Sequence, residues 1–441
     1  MTHLQQRHVT MIALGGVIGA GLFVGTGAGI AVAGPAVLIS FGLAGILALL
    51  VMRMLGEMAA EHPSGGAFSV HAEKAIGPWA GFTVGWVYWS TVGVVLAVEA
   101  TGAAKIAAGW VPAVPQWIWV LLFMSVLTAV NLAQVSNFGE FEFWFAGLKI
   151  AAIVLFLALG AAAILGLLPG VDSPGLTNLQ DFLPNGWGGV IAGLMAVVFA
   201  FGGLEVVTIA AADAEDPKHA IGKAVRTSIT RLLVFYLGSM AVVVTLLPWN
   251  DSKVGASPYV AVLDRIGIPG AGQIMNVVIF VALLSAINAT LYGAARMLCS
   301  LAERGEAPKV LLNRKNGVPR NAVLTSVSFG FISVLLNYLW PDTVFLLLLN
   351  AAGSALLVVW GFIAVSQLRM RRTIANPTVP MWGYPYLTWL ALAGIVTIML
   401  LMLRDEQARV QILSTGVLVA VIAAVAVSRS ALRRRSLHDR I

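Results

Sequence analysis

Apolar runs of about twenty residues recur along the whole chain, each long enough to cross a hydrocarbon core of about 30 Å as a helix. Nothing else in the sequence constrains the fold as strongly. Composition agrees: 59% of the 441 residues are hydrophobic and 11% charged, with a mean hydropathy of +0.90, whereas soluble domains carry about 25% charged residues. The chain is read as a polytopic membrane protein, with the lipid bilayer as its first partner. No long polar linker separates the spans, so one membrane domain over 1–441 is expected. The first apolar segment has no basic flank leading to a short core and a cleavage site, and it runs on into a second span. It is not a cleaved signal peptide.

Twelve spans are expected, at about 9–33, 37–60, 79–109, 116–133, 143–167, 187–212, 230–248, 273–301, 321–340, 343–368, 384–403 and 409–428. They are numbered 1 to 12 below. Of the 27 Lys and Arg, 19 fall in the N-terminus, the even-to-odd connections and the C-terminal tail. Only Lys253, Arg265, Arg404 and Arg409 lie in the opposite connections. By the positive-inside rule both termini are cytoplasmic. The net charge of +7 is thereby explained without nucleic acid. Trp110, Trp117 and Trp119 sit where an interfacial aromatic belt is expected, and 169–187, rich in Pro and Gly, reads as an irregular outer connection. Cys299 is the only cysteine, which excludes an intrachain disulfide and a metal site built on paired cysteines. No cofactor or metal is called for.

Two spans are interrupted by glycine. Span 1 contains LGGVIGAGLFVG (14–25) and span 6 contains AVVFAFGGLEVVTIA (196–210), although glycine costs about 0.8–1.0 kcal/mol against alanine in a helix interior. Spans 1 and 6 are five crossings apart, and an odd offset makes them enter the membrane from opposite sides. That is the arrangement of an inverted repeat, with spans 1–5 (9–167) matched to spans 6–10 (187–368) and two peripheral helices (384–428). Paired discontinuous helices at matching repeat positions point to a carrier's central site. Unwinding frees backbone groups that lipid cannot satisfy, so it is tolerated only around protein or a polar cavity. The half-helix beginning near Ala20 then offers N–H groups and a positive dipole end to a carboxylate. Freed carbonyls from Val17 and from Phe199 to Gly202 suit an ammonium, so a zwitterion satisfies both. Close helix packing is the competing explanation, since Gly15 and Gly19 form GxxxG. The matched break in span 6 favours a site.

Glu99, Lys149 and Glu205 lie well inside apolar stretches. A charge at a helix centre costs about 2.5–3.5 kcal/mol on insertion scales, so such residues are functional candidates by default. The structural alternatives are a snorkelling Lys149 and a Glu99 paired with Lys105. Arg53, Glu57, Asp213 and Arg296 are expected to be interfacial or ion-paired.

Read together, GGVIGAGLFVG, AGPAVL, PSGGAFSVHAEKAIGPWAGFTVGWVYW, NFGEFEFWFAGLKI, FAFGGLEVVTIAAADAEDP, NATLYGAARML, QLRMRR and MWGYPYLTWL resemble, in this order and over essentially the whole length, bacterial permeases of the amino acid/polyamine/organocation superfamily. RHVTM, GVIGA, FVG, MRML, GEFEFW and Glu99 bring the chain closest to the 4-aminobutyrate (GABA) permeases, whereas Gly21 and Gly27 follow the general family pattern. The resemblance implies a LeuT-type fold, all-α, with twelve transmembrane helices in a 5+5 inverted repeat. It implies that amides around Gly19, Ala20 and Gly21 hold a substrate carboxylate and that carbonyls of Val17, Phe199, Ala200 and Gly202 hold the amine. Phe201 is then a gate, and Ile18, Glu99 and Glu205 complete the candidate binding set. Lys149, with Ser285 and Asn288 on span 8, takes the place of a sodium ion in proton-coupled relatives. The expected partners are therefore a small amino acid and protons: import of 4-aminobutyrate, with a neutral α-amino acid such as proline or alanine, or exchange, as the alternative.

A membrane-embedded enzyme finds no support. All six histidines lie outside the expected spans, HExxH is absent, and Cys299 has no histidine near it in sequence. A channel also lines its pore with broken helices but lacks saturable counterflow. Lys149 argues against a sodium-coupled carrier.

Overall fold

The computed structural model of the chain describes residues 11, 18–64, 66–133, 138–211, 214, 216–315, 318–374 and 376–438. Among them, nine helices are long and apolar enough to cross a membrane, and Leu233–Leu246 and Tyr386–Met402 are shorter apolar ones. The first of the nine, Gly21–Glu61, holds two of the expected spans. Gly34, at φ +62°, and Pro35 turn the chain between Thr26–Ala33 and Val37–Glu61. A side chain at Gly34 would meet Pro184 at 2.4 Å, so glycine is required there by both conformation and space. The protein is an all-α polytopic membrane protein whose apolar helices coincide with the expected spans. Its one extended element among the described residues pairs Arg314–Lys315 with Val318–Pro319.

Hydropathy locates crossings better than helix ends. Span 7 is expected at 230 but begins at Pro217, because Pro217 stands at the first helical position and the Asp216 carboxylate accepts the His219 N–H at 3.2 Å. Span 12 runs over Glu406–His438 rather than 409–428. Three short helices, Ala67–Ala75, Ser252–Ala256 and Pro258–Ile266, lie in connections and are too short to be read as crossings. The tryptophans expected in a belt hold aromatic partners: Trp110 meets Phe280 and Trp117 meets Tyr338, both edge to face.

Packing follows the repeat. Span 3 (Pro78–Trp110) packs most extensively on span 8 (Ala271–Glu303), span 2 on span 7, and span 4 (Gln116–Ala133) on span 9 (Arg320–Leu339). Thr26–Ala33 of span 1 packs on Gly186–Val198 of span 6. Each pair is five spans apart, as it must be when elements related by a two-fold axis in the membrane plane meet across that axis.

Polar contacts gather the even-to-odd connections at one end, called the basic end below. Arg304, after span 8, bonds Glu73 and Ser69 between spans 2 and 3, at 2.5 and 2.6 Å. Arg429 of span 12 donates to the carbonyls of Gly305 and Glu306, at 3.0 Å each. On span 2, Arg53, Glu57 and Glu61 recur every four residues and hold the connection between spans 10 and 11. Arg53 Nε donates to Pro380 O at 2.9 Å, and its guanidinium lies 4.7 Å from the centre of the Trp382 ring. Buried Glu57 accepts from Met381 N and Gln367 Nε2 at 2.6 and 2.7 Å, and Glu61 accepts from Thr378 N and Oγ1 at 2.9 and 2.8 Å. Glu57 is ion-paired as expected, its Oε2 3.6 Å from Arg371 Nε, and Arg53 is buried in this clamp. Arg296 lies over the Tyr292 ring, and Asp213 falls outside the described residues.

At the same end His71 is fully buried in the helix Ala67–Ala75, its Nε2 3.0 Å from the His62 carbonyl oxygen. Burial, with smaller contributions from the neighbouring His62 and Lys74 charges, pushes its pKa from 6.5 down to about 4 against the opposing pull of the His62 carbonyl contact. A histidine held neutral gives stability that is complete above its ordinary pKa and is lost as pH falls from about 6.5 toward 4. The penalty of His71→Leu in thermal melts of the detergent-solubilised protein is therefore largest near neutral pH. It shrinks by on the order of 3 kcal/mol toward pH 4; a penalty independent of pH contradicts this account.

Candidate functional site

The two breaks meet at the centre of the bundle. In span 1 Ala20 opens a wide turn over Gly21–Gly25 before Thr26–Ala33 continues. The Gly19 carbonyl accepts the N–H groups of Leu22 and Phe23 at 3.2 Å each. In span 6, Phe199–Phe201 tightens into a 3₁₀ turn, Gly202 is extended (φ −65°, ψ 149°), Gly203 has φ +95°, and the helix resumes at Val206–Ala211. A β-carbon on Gly21 would lie 2.7 Å from Ala200 Cα. Glycine thus lets the two broken backbones touch.

The N–H of Ala20 is donated across the bundle to Glu99 on span 3, at 3.1 Å to Oε1 and 3.0 Å to Oε2. A carboxylate therefore occupies the first amide of the half-helix, as the dipole favours, and it belongs to the protein itself. Gly19 makes room for it, since a β-carbon there would stand 2.4 Å from Glu99 Oε1. Glu99 is only 4% exposed. Lys105, the structural partner considered for it, points outward and is exposed.

Beside this contact lies a small cavity of about 40 Å³. Its walls come from span 1 (Gly21), span 3 (Tyr88, Thr91, Val92, Val95 and Glu99), span 6 (Phe199, Ala200, Gly202, Gly203, Glu205 and Val206), span 8 (Thr290) and span 10 (Leu356). Of the expected binding residues, Gly21, Glu99, Phe199, Ala200, Gly202 and Glu205 line it. Ile18 is fully buried beside Gly19, and Val17 lies outside the described residues. Two carbonyls expected to hold an amine already have partners: Phe199 O accepts Gly202 N–H at 2.9 Å, and Ala200 O accepts the Tyr236 hydroxyl at 2.7 Å. Phe201, expected as a gate, is placed elsewhere. Its ring stacks on Tyr236 at 5.0 Å and leans on Phe41 at 6.0 Å, toward spans 7 and 2, and it is not in the cavity wall.

Lys149 is completely buried, so it does not snorkel. It lies within electrostatic reach of Glu142 and Glu99. Ser285, expected beside Lys149, donates to both oxygens of the buried Glu142, at 2.9 and 3.1 Å. Asn288 accepts from Asn131 Nδ2 of span 4 at 2.7 Å. The sequence reading missed Glu142 and the wall of span 3. Both follow from period. Glu142 stands two turns before Lys149 on one helix face, and Tyr88, Thr91, Val92 and Val95 lie eleven, eight, seven and four residues before Glu99. Among the described residues no group of three His, Cys, Asp or Glu is placed to hold a metal.

A helical membrane bundle whose two interrupted spans cross at the wall of a central cavity has the architecture of a secondary transporter. The sequence pattern of the amino acid permease family matches residues 8–431, and the chain belongs to that family. It is 44% identical to the gamma-aminobutyric acid permease of Bacillus subtilis, over 99% of this chain and 94% of that protein. It is 45% identical to a probable GABA permease of Pseudomonas aeruginosa, over 94% and 90%. It is also 47% identical to the aromatic amino acid transport protein AroP of Corynebacterium glutamicum, over 94% and 92%. The protein is an amino acid permease.

The glycine contacts give a test. Gly19→Ala pushes Glu99 off the Ala20 amide, and Gly21→Ala forces the two breaks apart at Ala200. Each should lower amino acid uptake by about tenfold or more, because a close backbone approach that only glycine permits is lost. Gly147→Ala on span 5, whose β-carbon would meet nothing within 4 Å, should transport like wild type. Undiminished uptake by a correctly inserted Gly21→Ala would remove the crossing from the site.

Proposed function

We propose that this permease imports 4-aminobutyrate across the cytoplasmic membrane by proton-coupled alternating access, with the basic end and both termini in the cytoplasm. The excess of Lys and Arg at that end supports the orientation, and the relatives named for 4-aminobutyrate support the substrate. A relative named for aromatic amino acids is as similar. A neutral α-amino acid such as proline or alanine is the alternative. The chain acts as one carrier domain, with 9–167 and 187–368 as its repeats and 384–428 at the periphery.

The observation that carries the mechanism is the carboxylate already seated on the Ala20 amide. Glu99 fills the position on the Ala20 amide that a substrate carboxylate needs. A proton on Glu99 weakens its charge-assisted bond to the amide and releases it, so substrate and proton enter together. Lys149 stands between Glu99 and Glu142 in charge, and Glu142 lies seven residues, about 10 Å of helix rise, nearer the basic end. Release of the proton along Glu99, Lys149 and Glu142 restores the Glu99 contact and expels the substrate carboxylate on the cytoplasmic side. No sodium ion is needed, because the Lys149 ammonium supplies the positive charge beside span 1.

The decisive assay is uptake of radiolabelled 4-aminobutyrate into sodium-free proteoliposomes under an imposed pH gradient. Wild type accumulates it, while Lys149→Ala loses concentrative uptake yet keeps substrate exchange, whose backbone contacts are untouched. Glu99→Gln, a permanently uncharged carboxamide, exchanges substrate without responding to pH. Undiminished accumulation by Lys149→Ala, or a strict sodium requirement in wild type, contradicts the coupling. Uptake of aromatic amino acids alone contradicts the substrate.

A further inference from the structure

We propose that Arg53 of span 2 and Arg226 of span 7, neither of which lines the central cavity, form a site for the phosphate headgroup of an anionic phospholipid in the leaflet at the basic end. Close packing brings the two arginines together. A β-carbon on Gly56 of span 2 would meet Val225 of span 7 at 2.9 Å, and one on Gly222 would meet Val379, in the connection between spans 10 and 11, at 3.3 Å. Arg226, the residue after Val225, lies within electrostatic reach of Arg53. Arg53 is only 6% exposed, while Arg226 is exposed. Like charges so placed repel each other, and a buried charge is costly unless it is paired.

No acid among the described residues is left to neutralise the pair. Glu57, one turn beyond Arg53, is within its electrostatic reach, but the Glu57 oxygens accept from Met381 N and Gln367 Nε2, and its ion pair is with Arg371. Among the described residues Arg53 donates from Nε, to Pro380 O, and its two terminal amino groups make no hydrogen bond; Arg226 makes neither a hydrogen bond nor an ion pair. What completes the pair is an anion with several acceptor oxygens on one centre. A phosphate matches the planar fork of a guanidinium with parallel hydrogen bonds, and the Trp382 ring, 4.7 Å from the Arg53 guanidinium, restricts the plane of that fork.

The surroundings select a lipid over free phosphate. Trp382, Tyr386 and Trp389 are exposed beside the site and mark a membrane interface. Ile46 on span 2 and Val234 on span 7 lie about 10–12 Å of helix rise from the two arginines toward the middle of the bilayer. Both are exposed, and so offer apolar surface to the acyl chains below a headgroup at that level. Basic pockets between spans at this depth take anionic headgroups.

The test is a thermal shift of the full-length protein in dodecyl maltoside, with dioleoyl phosphatidylglycerol as the probe and dioleoyl phosphatidylcholine, sodium phosphate and sodium chloride as controls. A ligand bound only by the folded state raises the midpoint. Phosphatidylglycerol therefore stabilises wild type beyond phosphatidylcholine, and sodium phosphate does no more than sodium chloride. Arg226→Gln raises the half-saturating concentration of phosphatidylglycerol about fivefold or more, and Arg53→Lys, which keeps the charge without the fork, weakens binding as well. Arg265→Gln, which removes an exposed arginine from the opposite end, binds like wild type. The site is overturned if phosphatidylcholine stabilises wild type equally, if sodium phosphate reproduces the shift, which makes it a site for the free ion, or if Arg226→Gln binds no more weakly than Arg265→Gln. Because Arg226 makes no hydrogen bond or ion pair among the described residues, its variant is decisive even where Arg53→Lys fails to fold.

Discussion

The hydrogen bond from the Ala20 amide to the Glu99 carboxylate is the contact on which the centre of this protein depends. A span that unwinds in mid-membrane exposes backbone donors where lipid offers no acceptor, and a carboxylate in the same place exposes a charge that lipid cannot solvate. Each defect is tolerable only because the other is present. The pair joins span 1 to span 3, and so couples the broken part of the first repeat to the helix that forms one wall of the cavity.

Around that bond the two repeats solve the same problem differently. In span 1 the orphaned amide is met by a side chain from span 3. In span 6 the Gly203 amide is met by Glu205 two residues on, and the Ala200 carbonyl by Tyr236 from span 7. The second break is met partly by a residue of its own turn and partly by span 7, while the first is met by a side chain of another span. Both breaks thus carry a buried carboxylate into the cavity wall, Glu99 and Glu205. A proton or a ligand arriving at either carboxylate alters contacts made by one break and not the other.

The charges buried away from the cavity are held by geometry of the same economy. Arg53, Glu57 and Glu61 take one face of span 2 at intervals of four and fasten the connection between spans 10 and 11. Glu142 and Lys149 take one face of span 5 at an interval of seven, away from the lipid-exposed Trp144, Leu148 and Leu155. In both cases the helix period places polar groups on a single inward stripe and leaves the remainder apolar, which is how a membrane helix carries ionisable residues at all.

Much of this was legible in the sequence. The crossings follow from apolar run length, and the two breaks and their five-span offset follow from glycine placement, because these are local or periodic properties. Glu99, Lys149 and Glu205 were legible as functional candidates because charge is rare in apolar runs. Only the tertiary structure decided which partner each one meets. It set Glu99 on Ala20 and not beside Lys105, gave Ser285 to Glu142, turned Phe201 toward Phe41 and Tyr236, and brought Tyr88 to the same cavity as Glu205. Helix period fixes which residues share a face, but which neighbour that face meets depends on how spans distant in sequence pack. A side chain's partner is set by that packing and by nothing local.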